Sequence, residues 1–255
     1  MRKTRGMDAA TQQPQPESAH GGPGADVAGQ LADQLGELAR ELQQETDFEQ
    51  TLATIVGAAV DLIPGTTAGS ISVVEHRKEI RSHAPSSDLA ATVDRLQDRI
   101  GEGPCLDAIW QERTVQVPDF GREDRWPRFA PAAAAAGAVS MLSFQLYVEG
   151  DNLGALNLYG HHAHAFTEES EEVGRLVAAH AAVAFADARR ISNLEEALAT
   201  RDVIGRAKGI LMERYKITDQ QAFLLLSSAS SRTNTKLREV AEQLAATGTL
   251  RGTGE

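Results

Sequence analysis

The pattern of apolar and polar positions divides the chain into a long mixed region and a helical end. Leu31, Leu35, Leu38 and Leu42 recur at helical spacing, as do Leu52, Ile55, Val56 and Ala59. Asp47 is placed to cap the second run and Pro64-Gly65 to end it. Alternation takes over at Ala68. Ile71 and Val73 sit among Ser70, Ser72 and Val74, which predicts a half-buried strand, and Glu79–His83 reads as its antiparallel partner. Residues 87–100 are predicted helical with Leu89, Val93, Leu96 and Ile100 inward, broken by Gly101-Glu102-Gly103-Pro104. A short helix at 105–111, a strand at Thr114–Val117, a polar loop at 119–128 and a helix at 130–136 follow. Two alternating runs, 140–147 and 153–159, predict a hairpin about Glu149-Gly150-Asp151-Asn152.

From Thr167, a capping residue with Ser170 and Glu171 behind it, the pattern becomes helical and does not stop. Val177, His180, Ala184, Asp187, Ile191, Leu194, Leu198 and Arg201 follow 4-3 spacing, and neither Gly nor Pro falls between Arg175 and Val203. This predicts a helix of about 40 residues, roughly 60 Å long, with a seam that needs a partner helix. Ile204, Ala207 and Leu211 share its next apolar face, which ends near Tyr215-Lys216. Thr218 and Gln221 form a capping box for a second helix carrying Ala222, Phe223, Leu225 and Leu226. The run SSASSRTN is expected to break it, and Thr233 or Asn234 to cap a third helix with Leu237, Val240, Ala241 and Leu244 inward. A three-helix unit this small has a marginal core, so the long helix is expected to hold it in a parallel homodimer.

Charge sharpens the division. The formal net charge is −11, yet residues 201–238 hold 8 basic and 3 acidic side chains. A local basic excess on an acidic molecule suits phosphate contact while limiting nonspecific adhesion. The first 28 residues, rich in Gly, Pro, Gln and Ser, are expected to be a disordered tail. Cys105 is the single cysteine, which excludes an intramolecular disulfide and a cysteine-based zinc site and fits a cytoplasmic protein. No apolar stretch follows the basic MRKTRG start, so no secretory leader is expected, and no apolar run reaches the roughly 18 residues of a membrane span.

The final unit resembles the ANTAR domain of transcription antitermination regulators. The resemblance rests on Ile204, the Ala207-Lys208-Gly209-Ile210-Leu211-Met212 string, Ala222-Phe223, Asn234, Leu237 and Ala241. The mixed region resembles a GAF domain through GEGPCLDAIW, VQVPDF, RWPRF, Gly137 with Ser140, and LGALNLYG. Together they resemble the GAF–ANTAR regulators of actinobacteria. The implied fold is an α+β sensor domain, an antiparallel sheet with flanking helices, joined by a coiled-coil helix to an all-α three-helix domain. The expected boundaries are a tail at 1–28, the sensor with its N-terminal helix at 29–190, the signalling helix at 170–200 and the RNA-binding domain at 195–250. The implied activity is not enzymatic: a homodimer binds stem-loops in nascent leader transcripts under control of a small molecule at the GAF domain.

Arg201, Lys208, Arg214, Arg232, Asn234 and Lys236 are the expected RNA contacts, and Gly209 leaves room for close approach. Asn234 serves equally as a plain cap. Cys105, Trp110, Trp126, Phe129, Met141 and Phe144 stand open between lining a ligand pocket and filling it, and no cofactor is legible. Cys105 reads first as a small buried hydrophobe. His161, His162 and His164 read as an exposed turn, and His76 and His83 as hairpin flanks, so no metal site is expected. The alternative is a DNA-binding helix-turn-helix regulator with a GAF sensor, although no helix shows a clear major-groove set. Some GAF folds reduce methionine sulfoxide, but that chemistry uses more than one thiol.

Overall fold

The computed structural model describes residues 23–75, 79–111, 113–148 and 151–250. The first 22 residues of the expected tail, His76, and Glu149-Gly150 of the hairpin turn lie outside these. Helix α1 (Pro23–Gln44) begins six residues inside the stretch expected to be a disordered tail. Proline suits a first helical turn, where its missing N–H would be unpaired in any case. Leu35, Leu38 and Leu42 bury α1 against α2 (Phe48–Leu62) and the long helix described below. Asp47 caps α2, accepting from Gln50 N at 2.9 Å.

Strands β1 (Ala68–Glu75), β2 (Glu79–His83), β3 (Thr114–Val117), β4 (Ser140–Val148) and β5 (Asp151–Gly160) form one antiparallel sheet in the order β2-β1-β5-β4-β3. Strict alternation gives it two distinct faces. Ile71, Val73, Leu142, Phe144, Leu146, Leu156 and Leu158 pack toward α2 and α6 (Glu168–Tyr215). Val74, Val115, Val117, Met141, Ala155 and Tyr159 face the other way, toward α3 (Asp88–Ile100), α4 (Pro104–Trp110) and α5 (Phe129–Ala135). The expected polar loop before α5 contains a 3-10 turn, Phe120–Arg122, and buries both Phe120 and Trp126.

Helix α3 departs from its expected inner face. Ala90, Val93, Asp94 and Gln97 are buried, while Leu89, Leu96 and Ile100 are only partly so. Two polar residues go inward because the sheet they meet presents Ser70, Ser72, Ser143 and Asn157, all buried. Asp94 is partnered there by Asn157 and Tyr159, which offsets the cost of its burial, while Gln97 accepts from Cys105 N and leaves its buried Nε2 without a partner among the described residues.

Helix α6 runs 48 residues, about 72 Å at 1.5 Å per residue. Thr167 and Ser170 close its capping box. Its first half lies on the sheet through Val173, Val177, Ala181 and Phe185, with Gly174 seated over the Phe144 ring. A Cβ at Gly174 would overlap that ring. Gly174→Val should therefore lower stability by about 1–3 kcal/mol, read as a lower urea midpoint at unchanged slope. Val177 is fully buried against the sheet, so it does not belong to an outer seam. The apolar side chains left facing out are Leu176, Val183, Ile191, Leu194 and Leu198, beyond which residues 191–199 are all exposed.

The last part of α6 packs with α7 (Asp219–Thr233) and α8 (Leu237–Thr247) around Val203, Ala207, Leu211, Ala222, Leu226, Ala229, Val240, Ala241 and Leu244. The serine run does not break α7. Ala229 is buried inside it and Thr233 Oγ1 donates back to Ala229 O at 2.8 Å, a bond compatible with helix. The helix ends at Asn234, left-handed at φ 49 and ψ 38, whose N–H bonds Ser230 O. Asn234 is thus the C-cap of α7 and not the N-cap of α8; Lys236 holds that position without a side-chain cap. Among the described residues no helix is long and apolar enough to cross a membrane.

Candidate nucleic-acid interface and sensor core

The expected RNA contacts fall into three groups. Arg201 and Lys208 line a groove between α6 and α7, together with Phe223. Lys208 is not free: its ammonium meets Asp219 Oδ1, on the first residue of α7, at 2.6 Å. A lysine has three N–H donors, so this ion pair leaves donors for a phosphate. Gly209 and Arg214 lie around the helix beside Arg206 and Ala245, and the Arg214 guanidinium donates to Gly248 O, tying down the end of α8. Beyond its own helix turn, a Cβ built on Gly205 or Gly209 meets nothing within 4 Å among the described residues, so packing there accounts for neither glycine. Arg232, Asn234 and Lys236 sit exposed at the α7–α8 corner, where the left-handed turn at Asn234 reverses the chain. Arg238 is held by Glu242 at 2.9 Å and Glu196 at 3.2 Å.

Phe223 escaped the sequence reading as a surface residue. It was expected inside α7, yet it is 42% exposed and Leu224 66%. The signal was present: Ala222, Leu226 and Ala229 keep i, i+4, i+7 spacing, and Phe223 falls off that stripe.

In the sensor half, Cys105, Trp126, Phe129 and Met141 come together on one side of the sheet. Phe144 lies on the opposite side and Trp110 is 53% exposed, so neither joins them. The four are fully packed. Beside them is a buried polar cluster that the sequence reading missed. Asp94 accepts from Tyr159 OH at 2.7 Å, from Asn157 Nδ2 at 3.3 Å and from the Ser82 hydroxyl. Asn157 Nδ2 also reaches Ser72 Oγ at 3.0 Å, and Ser143 Oγ donates to Asn157 Oδ1 at 3.0 Å. Burial pushes the Asp94 carboxyl above its ordinary range against these donors. Burial, and then the neighbouring Asp94, hold the Tyr159 hydroxyl well above its own. The buried Cys105 thiol is pushed up to about 12, which makes it an inert thiol and not a nucleophilic thiolate.

The conspicuous sequence strings of this half hold one another in place. Gln97 Oε1 accepts from Cys105 N at 2.9 Å, and a Cβ on Gly103 would overlap the Gln97 side chain. Trp126 Nε1 donates to Asp107 Oδ2 at 3.0 Å, and the Arg125 guanidinium lies 4.4 Å over the indole. Arg128 pairs with Glu102 at 2.6 Å, which holds the Glu102 carboxyl below its ordinary range. His161, His162 and His164 are exposed, with the first two rings edge to face, and His83 contacts Glu49 at 2.9 Å. Among the described residues no three His, Cys, Asp or Glu side chains are grouped to hold a metal ion.

A GAF domain family model matches residues 45–186, more than half of the chain. The chain belongs to the GAF domain family. A second model, that of the ANTAR domain, matches residues 192–244. The GAF domain resembles that of a phosphoenolpyruvate-protein phosphotransferase from Coxiella burnetii (20% identity, 65% of this chain and 98% of that one, TM-score 0.53). It also resembles a free methionine-R-sulfoxide reductase from Neisseria meningitidis, solved with its substrate (19%, 65% and 93%, TM-score 0.51). A bacteriophytochrome from R. palustris is similar over 86% of this chain and 49% of its own (13%, TM-score 0.51). At these identities the likeness is one of fold alone. A search of curated proteins finds no match. A GAF sensor domain and an ANTAR domain therefore share one helix, α6, with the boundary between them falling where it leaves the sheet.

Proposed function

We propose that this protein is a ligand-responsive, RNA-binding antitermination regulator of the actinobacterial GAF–ANTAR type. It acts in the cytoplasm as a homodimer that binds paired stem-loops in nascent leader transcripts and keeps a terminator hairpin from forming. The observation that carries this reading is a three-helix ANTAR domain, with 8 basic and 3 acidic side chains over residues 201–238, on the end of a helix shared with a sensor. Dimerisation is supported by the outer stripe of Leu176, Val183, Ile191, Leu194 and Leu198, which stands exposed among the described residues. Signal entry is supported by the polar cluster around Asp94, because its Ser72 sits on β1 and Arg189 of α6 donates to Val74 O on that same strand at 2.9 Å. A ligand that rearranges the cluster would move β1, and with it the grip on α6. Methionine-sulfoxide reduction does not suit the chain, whose one cysteine is buried.

Titrating the full-length protein with tandem stem-loop RNA and with scrambled RNA at two salt concentrations tests the reading. Selective binding is expected, with Lys208→Ala and Arg232→Ala each weakening it and lowering the salt slope by roughly 0.7–0.9. The Lys208 variant should lose no more than about 1 kcal/mol of stability, since its ion pair is at the surface. An unchanged slope removes Lys208 from the phosphate contacts, and equal affinity for scrambled RNA removes the proposal.

A further inference from the structure

Helix α3 is held on the sheet by little apolar surface. Its buried side chains are Ala90, Val93, Asp94 and Gln97, two small apolar groups and two polar ones. It covers β1 and β2, the outermost strand, and touches α5 beside them. The chain just before its first turn is pinned to β1: Ser86 N donates to Gly69 O and Ser86 Oγ accepts from Gly69 N, each at 2.9 Å. Its far end runs into Gly101 and Gly103, whose φ of 74 and 142 suit glycine. The ties there are Gln97 Oε1, accepting from Cys105 N at 2.9 Å, and Ile100 O, accepting from the Arg128 guanidinium. An element with few buried apolar contacts, one pinned end and one glycine-flanked end belongs to the part of a domain that opens at lowest cost.

Asp94 fastens the middle of this helix, through Ser82 on β2 and through Asn157 and Tyr159 on β5. Ser70 and Ser72 stand around it from β1 and Cys105 from α4, while α5 presents Phe129 and Ala133. None of these groups carries the positive charge that would balance a carboxylate. The two that titrate, Tyr159 and Cys105, are held neutral by burial. Arg95, Asp98 and Arg99 of α3 itself are exposed. The Ser70 hydroxyl, fully buried, completes no hydrogen bond. A neutral carboxylic acid suits these surroundings, since its O–H can be given to a serine hydroxyl, whereas an ionised one is drawn toward water. A closed helix therefore holds a proton that an open helix releases, and rising pH favours opening.

The strand beneath leads to α6. Ser70 and Ser72 lie on β1, and Val74 O of that strand accepts from Arg189 Nη2 at 2.9 Å. Arg189 Nη1 is buried without a partner among the described residues, so the guanidinium holds β1 by that one bond.

We propose that α3 is a proton-operated lid: latched to the sheet while Asp94 is protonated, it swings out about Ser86 as the carboxyl ionises and loosens β1 from α6. As the signal input it rests on the regulatory reading above, with the proton as the effector.

The test is amide hydrogen exchange of the full-length protein, read by mass spectrometry, on the parent and Asp94→Asn at matched pH values between about 4 and 8. The parent-to-variant ratio of exchange over residues 88–100 should rise by up to about tenfold per pH unit and then level off. The ratios for α2 and α7 should stay flat. Tyr159→Phe removes a donor that favours the ionised carboxylate, so its rise should continue to higher pH before levelling. That comparison with the parent stands even where Asp94→Asn folds poorly. A flat ratio over 88–100 overturns the latch, and an equal rise in α2 overturns the lid, because the sensor then unfolds as a whole. Tandem stem-loop RNA affinity at the same pH values reads the coupling separately. A pH dependence present in the parent and absent in Asp94→Asn supports it. Identical profiles beside an intact exchange response take the lid out of signalling, and a parent that binds no RNA at any pH defeats the RNA reading while the exchange result stands.

Discussion

Exchanging Leu194 and Leu198 together for lysine is expected to convert the protein to a monomer and weaken its hold on a tandem stem-loop RNA by about two orders of magnitude. Both side chains lie where α6 has left the sheet and not yet reached α7, and they are 62% and 52% exposed. A single bare helix carrying Ile191, Leu194 and Leu198 on one side gains most of its stability from packing against another apolar face. Lysines there would face lysines across a two-fold seam. Neither residue touches the three-helix core, so the ANTAR domain should keep its helicity. The affinity loss follows from linkage: two joined domains hold two loops far more tightly than either alone. His180 and Asp187, both exposed on the same side of α6, are polar positions of the kind that set register in such a seam. Light scattering reports the mass and a binding titration the affinity. A variant that stays dimeric contradicts the assignment of the stripe.

Removing the buried carboxylate is the second large effect. Asp94→Ala strips the acceptor from the Tyr159 hydroxyl and the Asn157 amide at once. Each buried donor left unsatisfied costs about 1–3 kcal/mol, so a loss of several kcal/mol is expected, enough to threaten the fold of the sensor half. Asp94→Asn keeps the shape and one acceptor oxygen and should be far milder. The two proteins should also differ in pH dependence. Burial raises the Asp94 carboxyl above its ordinary range, so the folded state binds a proton that the unfolded state releases. The wild-type contribution is therefore greatest below the unfolded value and declines as pH rises toward the folded one. Relative to Asp94→Asn, the wild type should lose stability from about pH 4 upward, with the gap closing in acid. Denaturation curves that run parallel at every pH would contradict a raised carboxyl.

Much of this architecture was legible because it is local. The alternation of Ile71 and Val73, the capping residues Asp47, Thr167 and Thr218, and the unbroken run past Arg175 each specify a neighbour within a few positions. The readings that failed depend on distant partners. Asp94 looks like an exposed position of an amphipathic helix until Tyr159, 65 residues away, is set against it. Val177 fits a heptad as well as Leu194 does, and only the sheet beneath α6 shows that one faces inward and the other out. In α7 the serine run looked like a break because hydroxyls compete for the backbone. The buried Ala229 and the left-handed Asn234 moved the end of the helix to the end of the run. The basic candidates were recognisable by charge, but not that Lys208 meets Asp219 or that Arg214 holds Gly248. Those contacts separate Arg201, Arg232 and Lys236, which are exposed, from cations partly committed to the fold.

Competition on the full-length protein between tandem stem-loop RNA and duplex DNA of equal length, at one fixed salt concentration, tests the central claim most directly. The account predicts that the RNA displaces the DNA and that excess duplex does not displace the RNA, as the proposed recognition of loops rather than a major groove requires. Equal competition, or displacement of the RNA by duplex, would contradict it and make the protein a DNA-binding regulator.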